Sequence, residues 1–469
     1  MRDFMLLRTI LDGINSFFLI YLIGYSTFLL ITVIVGSVEL YTRRQQESMK
    51  SSFSRDYFIP ISIIIPAYNE EITVVDTVRS LLSLDYRLYE IVIVDDGSKD
   101  QTAQKLIDAF SMKQVHRPIR RVVPCRRDQF VYEATVDRIS ITLVRKENGG
   151  KADAINMGIN TCRFPWFICM DADSALQRDS LSRIVRPILE QENVVAVGGV
   201  VRPSNGVELK NGRIVSYHIP KNLLAAMQVM EYDRSFLASR ILFDKFNGSL
   251  IISGAFGLFR KDLVIEAGGY DHSTLGEDME LVVKLHEYCL GNNIPYSIRY
   301  VPDAVCWSQV PERFRDLCKQ RSRWYLGLFQ TMWRHKALLS HPSYGVVSVV
   351  SYVYFVVYEL LSPFFELLGL ATTTISYILG LLNPPFMVML FFIYTVYGSI
   401  LTLSCFFARI HTGDMRVTFQ DSCKALLMSF LEICGLHWLM NYVRITAFWG
   451  YRKKKMSWGR IERKKMNVQ

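Results

Sequence analysis

Apolar segments at both ends of the chain enclose a charged middle, and this pattern constrains the fold more than any other feature. Residues 17–38 form an apolar run of about the length that a helix needs to cross a bilayer. The run is too long for a typical signal-peptide core and no Ala-x-Ala-like site follows it, so we predict a retained membrane helix. Basic residues beyond it, Arg43, Arg44 and Lys50, favour a cytoplasmic location for that side.

Further apolar segments follow the middle of the chain. They cover residues 344–361, 363–382, 385–407 and, less cleanly, 425–449. Four crossings here and one at the start would place the middle and the C-terminus of the chain on the same, cytoplasmic face. For the last segment, an interfacial position stays open as an alternative. These segments contain three acids and a histidine, which are Glu359, Glu366, Glu432 and His437. Such side chains are energetically costly in hydrocarbon, so we expect them to face a protein interior or a watery path.

Much of the net charge of +10 lies in residues 450–469, after the last apolar segment. The cations there are Arg452, Lys453, Lys454, Lys455, Arg460, Arg463, Lys464 and Lys465. A basic run in that place is typical of a cytoplasmic, lipid-facing anchor. No nucleic-acid module is recognisable, so we expect no nucleic-acid partner. The 9 cysteines are scattered without a Cys-x-x-Cys pair, which argues against a disulfide framework and indicates a reducing compartment.

The middle of the chain alternates strand and helix patterns. Short β-branched runs, typical of strands buried on both faces of a parallel sheet, occur at 61–65, 91–94, 141–144 and 166–170. The spacing predicts a helix over residues 71–82, between the first two strands. We therefore predict an α/β, Rossmann-like domain with a mostly parallel sheet, flanked by transmembrane α-helices. Ligands of such sheets bind beyond the carboxyl ends of the strands.

We predict five segments in the chain. They are a transmembrane helix at 1–42, a linker at 43–58, the α/β domain with interfacial helices at its C-terminal end at 59–341, a membrane region of about four helices at 342–449 and a basic tail at 450–469. One stretch, 111–140, interrupts the α/β rhythm, and we interpret it as an inserted, solvated loop. It contains Arg117, Arg120, Arg121, Arg126 and Arg127.

Polar motifs follow the predicted strands. Tyr-Asn-Glu at 68–70 comes after the first strand, and Asp-Asp-Gly-Ser at 95–98 comes after the second. A carboxylate in such a tight turn can accept hydrogen bonds from a base or ribose, although a helix cap explains it equally well. Gly-Gly-Lys at 149–151, at a predicted helix start, combines backbone donors with a cation, and both attract phosphate. The Walker spacing is absent.

Two pairs of acids are candidates for chemistry. Asp171 and Asp173 follow the strand at 166–170, and two carboxylates so close at a strand end can share a hard divalent cation with a diphosphate. Glu277 and Asp278 open an amphipathic helix. Acids in a first helical turn ordinarily complement the helix dipole, which contributes ~0.3–1 kcal/mol. One of them could instead remove a proton from an acceptor hydroxyl.

The order of these motifs resembles that of the membrane-integrated processive family-2 glycosyltransferases. The shared series is Tyr68-Asn69-Glu70, Asp95-Asp96-Gly97, Lys151, Asp171-Ala172-Asp173, Gly276-Glu277-Asp278 and Gln320-Arg321-Ser322-Arg323-Trp324. It runs from about residue 59 into the downstream helices, and the pentapeptide ending in Trp324 is its most specific element. The family includes cellulose, hyaluronan, chitin and poly-N-acetylglucosamine synthases, and the resemblance implies a cytosolic glycosyltransferase-A-type domain.

The resemblance also implies a role for each motif residue. The uridine-binding residues would be Tyr68, Glu70 and Asp96. The residues that contact the diphosphate would be Lys151, Gln320 and Arg323. The ligands of Mg²⁺ or Mn²⁺ would be Asp173 and Asp171, with Asp171 also at the substrate. Asp278, with Glu277 beside it, would be the general base. Gly254 would line the acceptor site, and Trp324 would stack on the acceptor sugar.

The implied reaction is an inverting transfer from a UDP-sugar to a growing polysaccharide, which is translocated through a multi-pass protein of the plasma (inner) membrane with a cytoplasmic catalytic domain. Membrane lipid is the other expected partner. Two positions depart from cellulose synthases: Gly276 stands in place of Thr, and Ser253 precedes Gly254 in place of Cys. We favour UDP-glucose and a cellulose-like or mixed-linkage β-glucan. The alternatives are a poly-N-acetylglucosamine or hyaluronan-type synthase, a non-processive lipid glycosyltransferase and a catalytically silent partner of an export channel.

Overall fold

The computed structural model describes residues 2–50, 58–210, 212–340, 344–412 and 417–449. Within these ranges a ten-stranded sheet occupies the middle of the chain, and long helices precede and follow it. The predicted α/β fold class is confirmed. The tail at 450–469 lies outside the described residues.

The strands of the described part are numbered along the chain. They are β1 Ile61–Ala67, β2 Tyr89–Asp95, β3 Lys113–Val115, β4 Asp128–Val136, β5 Ile139–Lys146, β6 Trp166–Cys169, β7 Ser174–Leu176, β8 Val194–Pro203, β9 Val207–Lys210, β10 Arg213–Tyr217, β11 Gly257–Arg260 and β12 Ser297–Ser308. The main sheet has the order β3-β4-β5-β2-β1-β6-β11-β8-β12-β7, and β9 pairs with β10 separately.

The helices are numbered in the same way. They are α1 Arg2–Lys50, α2 Val74–Leu82, α3 Thr102–Phe110, α4 Lys151–Thr161, α5 Ser180–Ile184, α6 Arg186–Glu190, α7 Leu223–Arg234, α8 Arg240–Asp244, α9 Lys261–Glu266, α10 Glu277–Gly291, α11 Phe314–Arg334, α12 Ala337–Ser340, α13 Ser362–Ile378, α14 Pro384–Thr412, α15 Phe419–Leu431 and α16 His437–Ala447. Wider, π-helical turns occur at Ser235–Ser239, Val347–Tyr352, Phe355–Leu360 and Glu432–Leu436.

The centre of the sheet is parallel and buried on both faces. β1 pairs in parallel with β2 and β6, and β2 pairs in parallel with β5. Ile63 and Ile65 of β1 pack in the core that includes α2 and α3, whereas Ile64 packs in the core that includes α4. A Cβ at Gly158 would lie 2.3 Å from Ile64 Cγ2, so the glycine allows α4 to pack directly on β1. The carboxyl ends of β1, β2 and β6 therefore meet at one edge of the sheet.

The stretch 111–140 differs from the solvated loop that we predicted. It contains β3 and β4, and β4 pairs with β5 in the antiparallel direction, which extends the sheet. The segment between β3 and β4 lies on α4, where Asn160 Oδ1 accepts hydrogen bonds from the backbone N–H groups of Val122 (2.9 Å) and Val123 (3.0 Å). Composition alone missed this because the contacts join residues far apart in the chain.

Three helices of the described part are long and apolar enough to cross a membrane: Arg8–Gln46, Pro384–His411 and Phe419–Ala447. The pair Val347–Leu360 and Ser362–Ile378, bent by 47°, is a further candidate, as a broken span or a re-entrant loop. The structure thus offers three or four candidate spans, where the sequence predicts five crossings. Helix α1 reaches Lys50 and so covers part of the segment 43–58 for which the composition predicts a linker.

The last long helix, Phe419–Ala447, contacts the α/β domain near both of its ends. Near its start, Asp421 Oδ1 accepts a hydrogen bond from the backbone N–H of Ile219 (3.0 Å). Just after its end, the ring of Phe448 packs edge-on against Tyr325 of α11, with 5.6 Å between ring centroids. This helix therefore contacts the α/β domain near both of its ends, and its interfacial position stays a prediction beside its candidacy as a span.

Candidate active site

A cavity of about 320 Å³ opens at the carboxyl ends of β1 and β2 and at the start of α4. It is lined by Pro66, Ala67, Tyr68, Asp96, Arg126, Asn148, Gly149, Gly150, Lys151 and Ala154. The structure thus brings together Tyr68, Asp96 and Lys151, which the sequence predicts as donor-binding residues. Glu70 lies beside this lining, and its carboxylate accepts a hydrogen bond from the Thr73 hydroxyl (2.9 Å) at the start of α2. The volume is in the range of small-molecule sites.

Asp96 is buried and shapes the glycine loop of the cavity. Its Oδ1 accepts hydrogen bonds from Lys146 Nζ (2.5 Å) and from the Gly149 N–H (2.9 Å), and its Oδ2 accepts one from the Gly150 N–H (2.7 Å). Burial raises the pKa of the Asp96 carboxyl, and these donors counteract that rise. Gly150 has φ of 93°, a conformation that favours glycine. Asp96 therefore holds the loop that precedes Lys151.

Lys151 joins the cavity to a group of acids. Its Nζ lies 2.5 Å from Asp171 Oδ1 and 3.6 Å from Glu277 Oε1. Burial opposes the charged ammonium, but the two carboxylates outweigh it and raise the pKa of Lys151 above its usual value. Burial also raises the pKa of Glu277, against the opposing effects of Lys151 and Arg323. Lys151 thus lies between Asp171, which follows β6, and Glu277, which begins α10.

Asp278 is held in a fixed orientation by backbone donors. Its Oδ2 accepts a hydrogen bond from the Gly254 N–H (3.1 Å), and its Oδ1 accepts one from the Met279 N–H (2.9 Å). A Cβ at Gly254 would lie 3.3 Å from both Lys151 Nζ and Asp278 Cβ, so a side chain there would crowd the site. A carboxylate with two such bonds keeps lone pairs for a substrate hydroxyl. This geometry suits a general base.

Asp171 and Asp173 lie in the turn between β6 and β7. Asp173 is buried at 3% exposure, whereas the side chain of Asp171 is 28% exposed and paired with Lys151. Within the described ranges no group of three or more His, Cys, Asp or Glu side chains could hold a metal by itself. Two carboxylates nevertheless suit Mg²⁺ or Mn²⁺, because such an ion keeps waters and takes further oxygens from a diphosphate. The donor set therefore fits the predicted ion.

The pentapeptide motif lies within α11 and presents an aromatic surface. Arg321 is buried and forms two hydrogen bonds with the carboxylate of Glu231 on α7, at 2.9 and 2.7 Å. Its guanidinium carbon lies 4.5 Å from the centroid of the Trp324 ring, and Trp324 is 40% exposed. Glu231 thus fixes the cation on which Trp324 stacks. Gln320 Oε1 is buried without a hydrogen-bond partner among the described residues.

A close crossing of helices explains why Gly276 departs from the cellulose synthase pattern. A Cβ on Gly276 would lie 3.0 Å from Gly327 Cα of α11, and a Cβ on Gly327 would lie 2.7 Å from Gly276 Cα. A threonine in place of Gly276 would push α11 away from α10. The glycine pair therefore brings the motif helix against the turn that carries Glu277 and Asp278.

Sequence reasoning missed two residues that shape the site, Lys146 and Glu231. Lys146 is fully buried and pairs with Asp96 and Asp153. Its place at the carboxyl end of β5, on the same edge as the motifs, was a signal that could have found it. Glu231 had no such signal, because its helix α7 meets α11 only in the folded chain.

Comparison with known proteins places this site in a family. Residues 60–327, more than half of the chain, match the family described as Glycosyltransferase like family 2. Poly-beta-1,6-N-acetyl-D-glucosamine synthases of Staphylococcus aureus (strain COL) and Staphylococcus epidermidis are each 30% identical to the chain over 322 residues, which is 67% of this chain and 66% of the relative. The chain thus matches just under two thirds of the length of these relatives.

The fold also has a solved counterpart. A mannosyltransferase from Pyrobaculum calidifontis, in complex with GDP-Man and Mn²⁺, has a TM-score of 0.50 and 18% identity, over 88% of this chain and 99% of that chain. At this identity the likeness concerns the fold alone, and it confirms the predicted glycosyltransferase-A-type domain. With the family match over residues 60–327 and a cavity at the carboxyl edge of its sheet, the chain belongs to the family-2 glycosyltransferases.

Proposed function

We propose that the chain is a processive, inverting glycosyltransferase that polymerises UDP-N-acetylglucosamine into a β-linked poly-N-acetylglucosamine. The family match supports glycosyl transfer, and the two staphylococcal relatives are named as synthases of that polymer. The sequence-based preference for UDP-glucose and a β-glucan finds no support in these relatives. The alternative of a poly-N-acetylglucosamine synthase takes its place.

The observation that carries the proposal is the convergence of Lys151, Asp171, Glu277 and Asp278 at one end of the nucleotide cavity. Asp278 takes the proton of an acceptor hydroxyl, and the oxygen attacks the anomeric carbon from the face opposite the diphosphate. The bond from that carbon to the diphosphate oxygen breaks as the new bond forms. An α-linked donor therefore gives a β-linked product.

Stabilisation of the leaving UDP is the second task of the site. Lys151 and Arg323 supply positive charge where the diphosphate gains negative charge, in a preorganised and largely buried setting. Asp171 and Asp173 would hold Mg²⁺ or Mn²⁺, which supplies further charge for the leaving group when bound. Gln320 would contact the diphosphate, and Trp324 would stack on the acceptor sugar.

Polar and aromatic contacts among the candidate membrane helices are consistent with a path along which the polymer leaves. Glu366 of α13 accepts hydrogen bonds from Asn441 Nδ2 (2.5 Å) and pairs with His437 Nε2 (3.0 Å), both near the start of α16. Tyr21 of α1 stacks on Tyr358 with 5.1 Å between ring centroids. Polar groups among apolar helices pair with one another and often mark the path of a polar substrate. We therefore extend the proposal to translocation of the product from a cytoplasmic catalytic domain across the membrane.

The donor is tested by UDP release from purified full-length protein. UDP-N-acetylglucosamine, UDP-glucose, UDP-glucuronic acid and UDP-galactose are offered separately with Mg²⁺ or Mn²⁺, with EDTA as the metal-free control. The proposal expects release from UDP-N-acetylglucosamine alone, and loss of that release in EDTA. Preferred release from UDP-glucose would contradict the assigned donor, and release from none of them would contradict the assigned activity.

A further inference from the structure

Arg126 is the lining residue of the nucleotide cavity that comes from the inserted stretch 111–140. It lies in the arginine-rich segment between β3 and β4, for which the sequence predicts a solvated loop. The cavity wall on this side therefore comes from the stretch 111–140. The other lining residues come from β1, from the end of β2 and from the loop and helix that begin at Asn148.

Three side chains along α4 hold the backbone of this segment in place. Asp153 Oδ1 and Oδ2 accept hydrogen bonds from the Arg126 N–H, at 3.2 and 3.1 Å. Asn156 Nδ2 donates to the Pro124 carbonyl (3.2 Å), and Asn160 Nδ2 donates to the Val123 carbonyl (2.8 Å). Spacings of three and four residues place these side chains on one helix face. Arg126 is thus positioned by its backbone at the cavity.

The same contacts tie Arg126 to the loop that Asp96 holds. Asp153 pairs with the buried Lys146 at 2.6 Å, and Lys146 pairs with Asp96 at 2.5 Å. The Arg126 backbone, the buried lysine and the glycine loop consequently form one connected network. A shift of the segment would disturb the loop, so the position of Arg126 is coupled to that of Lys151.

Arg126 differs from the other cations around the cavity in having no carboxylate partner among the described residues. Lys146 is matched by Asp96 and Asp153, and Lys151 is matched by Asp171. Among the residues that the structure describes, the Arg126 guanidinium has no carboxylate at salt-bridge distance, and its side chain is exposed. An unmatched guanidinium at a cavity attracts an anion, and its planar fork binds phosphate oxygens in pairs.

We propose that Arg126 binds the diphosphate of the donor nucleotide, as a cation supplied by the inserted stretch in addition to Lys151. This inference rests on the proposed function, because it names a further residue for the same donor. It also assigns a role to the stretch 111–140: the stretch completes the nucleotide cavity. Because the Arg126 side chain is exposed and its contacts with α4 are made by the backbone, we expect R126A to keep the fold.

The test measures nucleotide binding and needs no turnover. Purified full-length wild type, R126A, R126K and R127A are titrated with UDP and with uridine, as competitors of a fluorescent UDP analogue. R127A is the matched control, because Arg127 is the adjacent exposed cation and lies outside the cavity lining. Loss of a charge-assisted hydrogen bond should weaken UDP binding by R126A by about tenfold or more. R127A should bind UDP like the wild type, uridine should bind all variants alike, and R126K should be intermediate.

The outcomes separate this inference from the proposed function. Equal UDP affinity of R126A and R127A would overturn the role of Arg126 while the enzyme assignment stands. An equal loss of uridine and UDP binding by R126A would place the guanidinium on the nucleoside and overturn the diphosphate contact. A wild type that binds no UDP would overturn both proposals.

Discussion

The contact between Glu231 and Arg321 predicts how firmly Trp324, the proposed stacking surface for the acceptor sugar, is held. The Arg321 side chain is 7% exposed and that of Glu231 is 22% exposed, so water replaces only part of a lost bond. In E231Q the amide oxygen can accept one of the two guanidinium hydrogen bonds. The lost charge-assisted bond is worth about 1.5–3 kcal/mol. If about 2 kcal/mol of the free energy of this bond serves to hold the Trp324 ring in place, the affinity for the acceptor would fall by up to roughly 30-fold.

The assay for this prediction measures product length at saturating donor. A weaker hold on the acceptor should shorten the polymer of E231Q, while the KM for UDP-N-acetylglucosamine stays within about twofold of the wild type. D316N is the matched control, because Asp316 is also on α11 and pairs with Lys319 at 3.5 Å, and Lys319 is 47% exposed. Such a surface pair contributes little. Wild-type product length in E231Q would refute the reasoning, as would equal shortening in D316N.

Three further predictions concern the base, a pH dependence and the topology. D278N should lower kcat by about 10²–10⁴ with UDP affinity nearly unchanged, measured by UDP release and by titration; a kcat within a few-fold of the wild type would exclude Asp278 as the base. Burial lowers the pKa of His335, but the hydrogen bonds to Glu280 and Glu287 outweigh burial, so the pKa is raised. The protonated His335 therefore stabilises the fold fully below the usual histidine pKa, and this stabilisation is lost as pH rises through the raised pKa. The gap in thermal stability between wild type and H335Q should accordingly narrow with rising pH, and a gap that widens would contradict this sign. A reporter fused after residue 469 should be reached by protease from the cytoplasmic face only, since the preceding helix ends on the α/β domain; access from the other face would contradict that placement.

The parallel centre of the sheet could be predicted because its physical cause is local. Strands buried on both faces need continuous apolar runs, and the runs at 61–65, 91–94 and 166–170 coincide with β1, β2 and β6. The motifs at the ends of these strands could be placed on one edge for the same reason. Parallel register then brings Tyr68, Asp96 and Lys151 to one cavity without any further information.

The rest of the site depends on contacts between distant segments, which no local pattern shows. The place of Lys146 at a strand end indicates that it is near the site, but only the fold shows that it is buried between two carboxylates. In the sequence Arg126 is one of several arginines of a predicted solvated loop, and only the fold shows that α4 binds its backbone N–H. Gly276 reads as a departure from a family pattern until α11 crosses it at Gly327. In each case burial and partner come from the packing of whole elements.

The central claim is that this site builds a polymer of N-acetylglucosamine, and the size and linkage of the product test it most directly. Purified wild type is supplied with radiolabelled UDP-N-acetylglucosamine and divalent metal, and the product is sized and digested with linkage-specific hydrolases. We predict a high-mass product that a β-1,6-N-acetylglucosaminidase degrades and a cellulase leaves intact, and none from D278N. A single sugar transferred to lipid, or a polymer that only a β-glucanase degrades, would contradict the account.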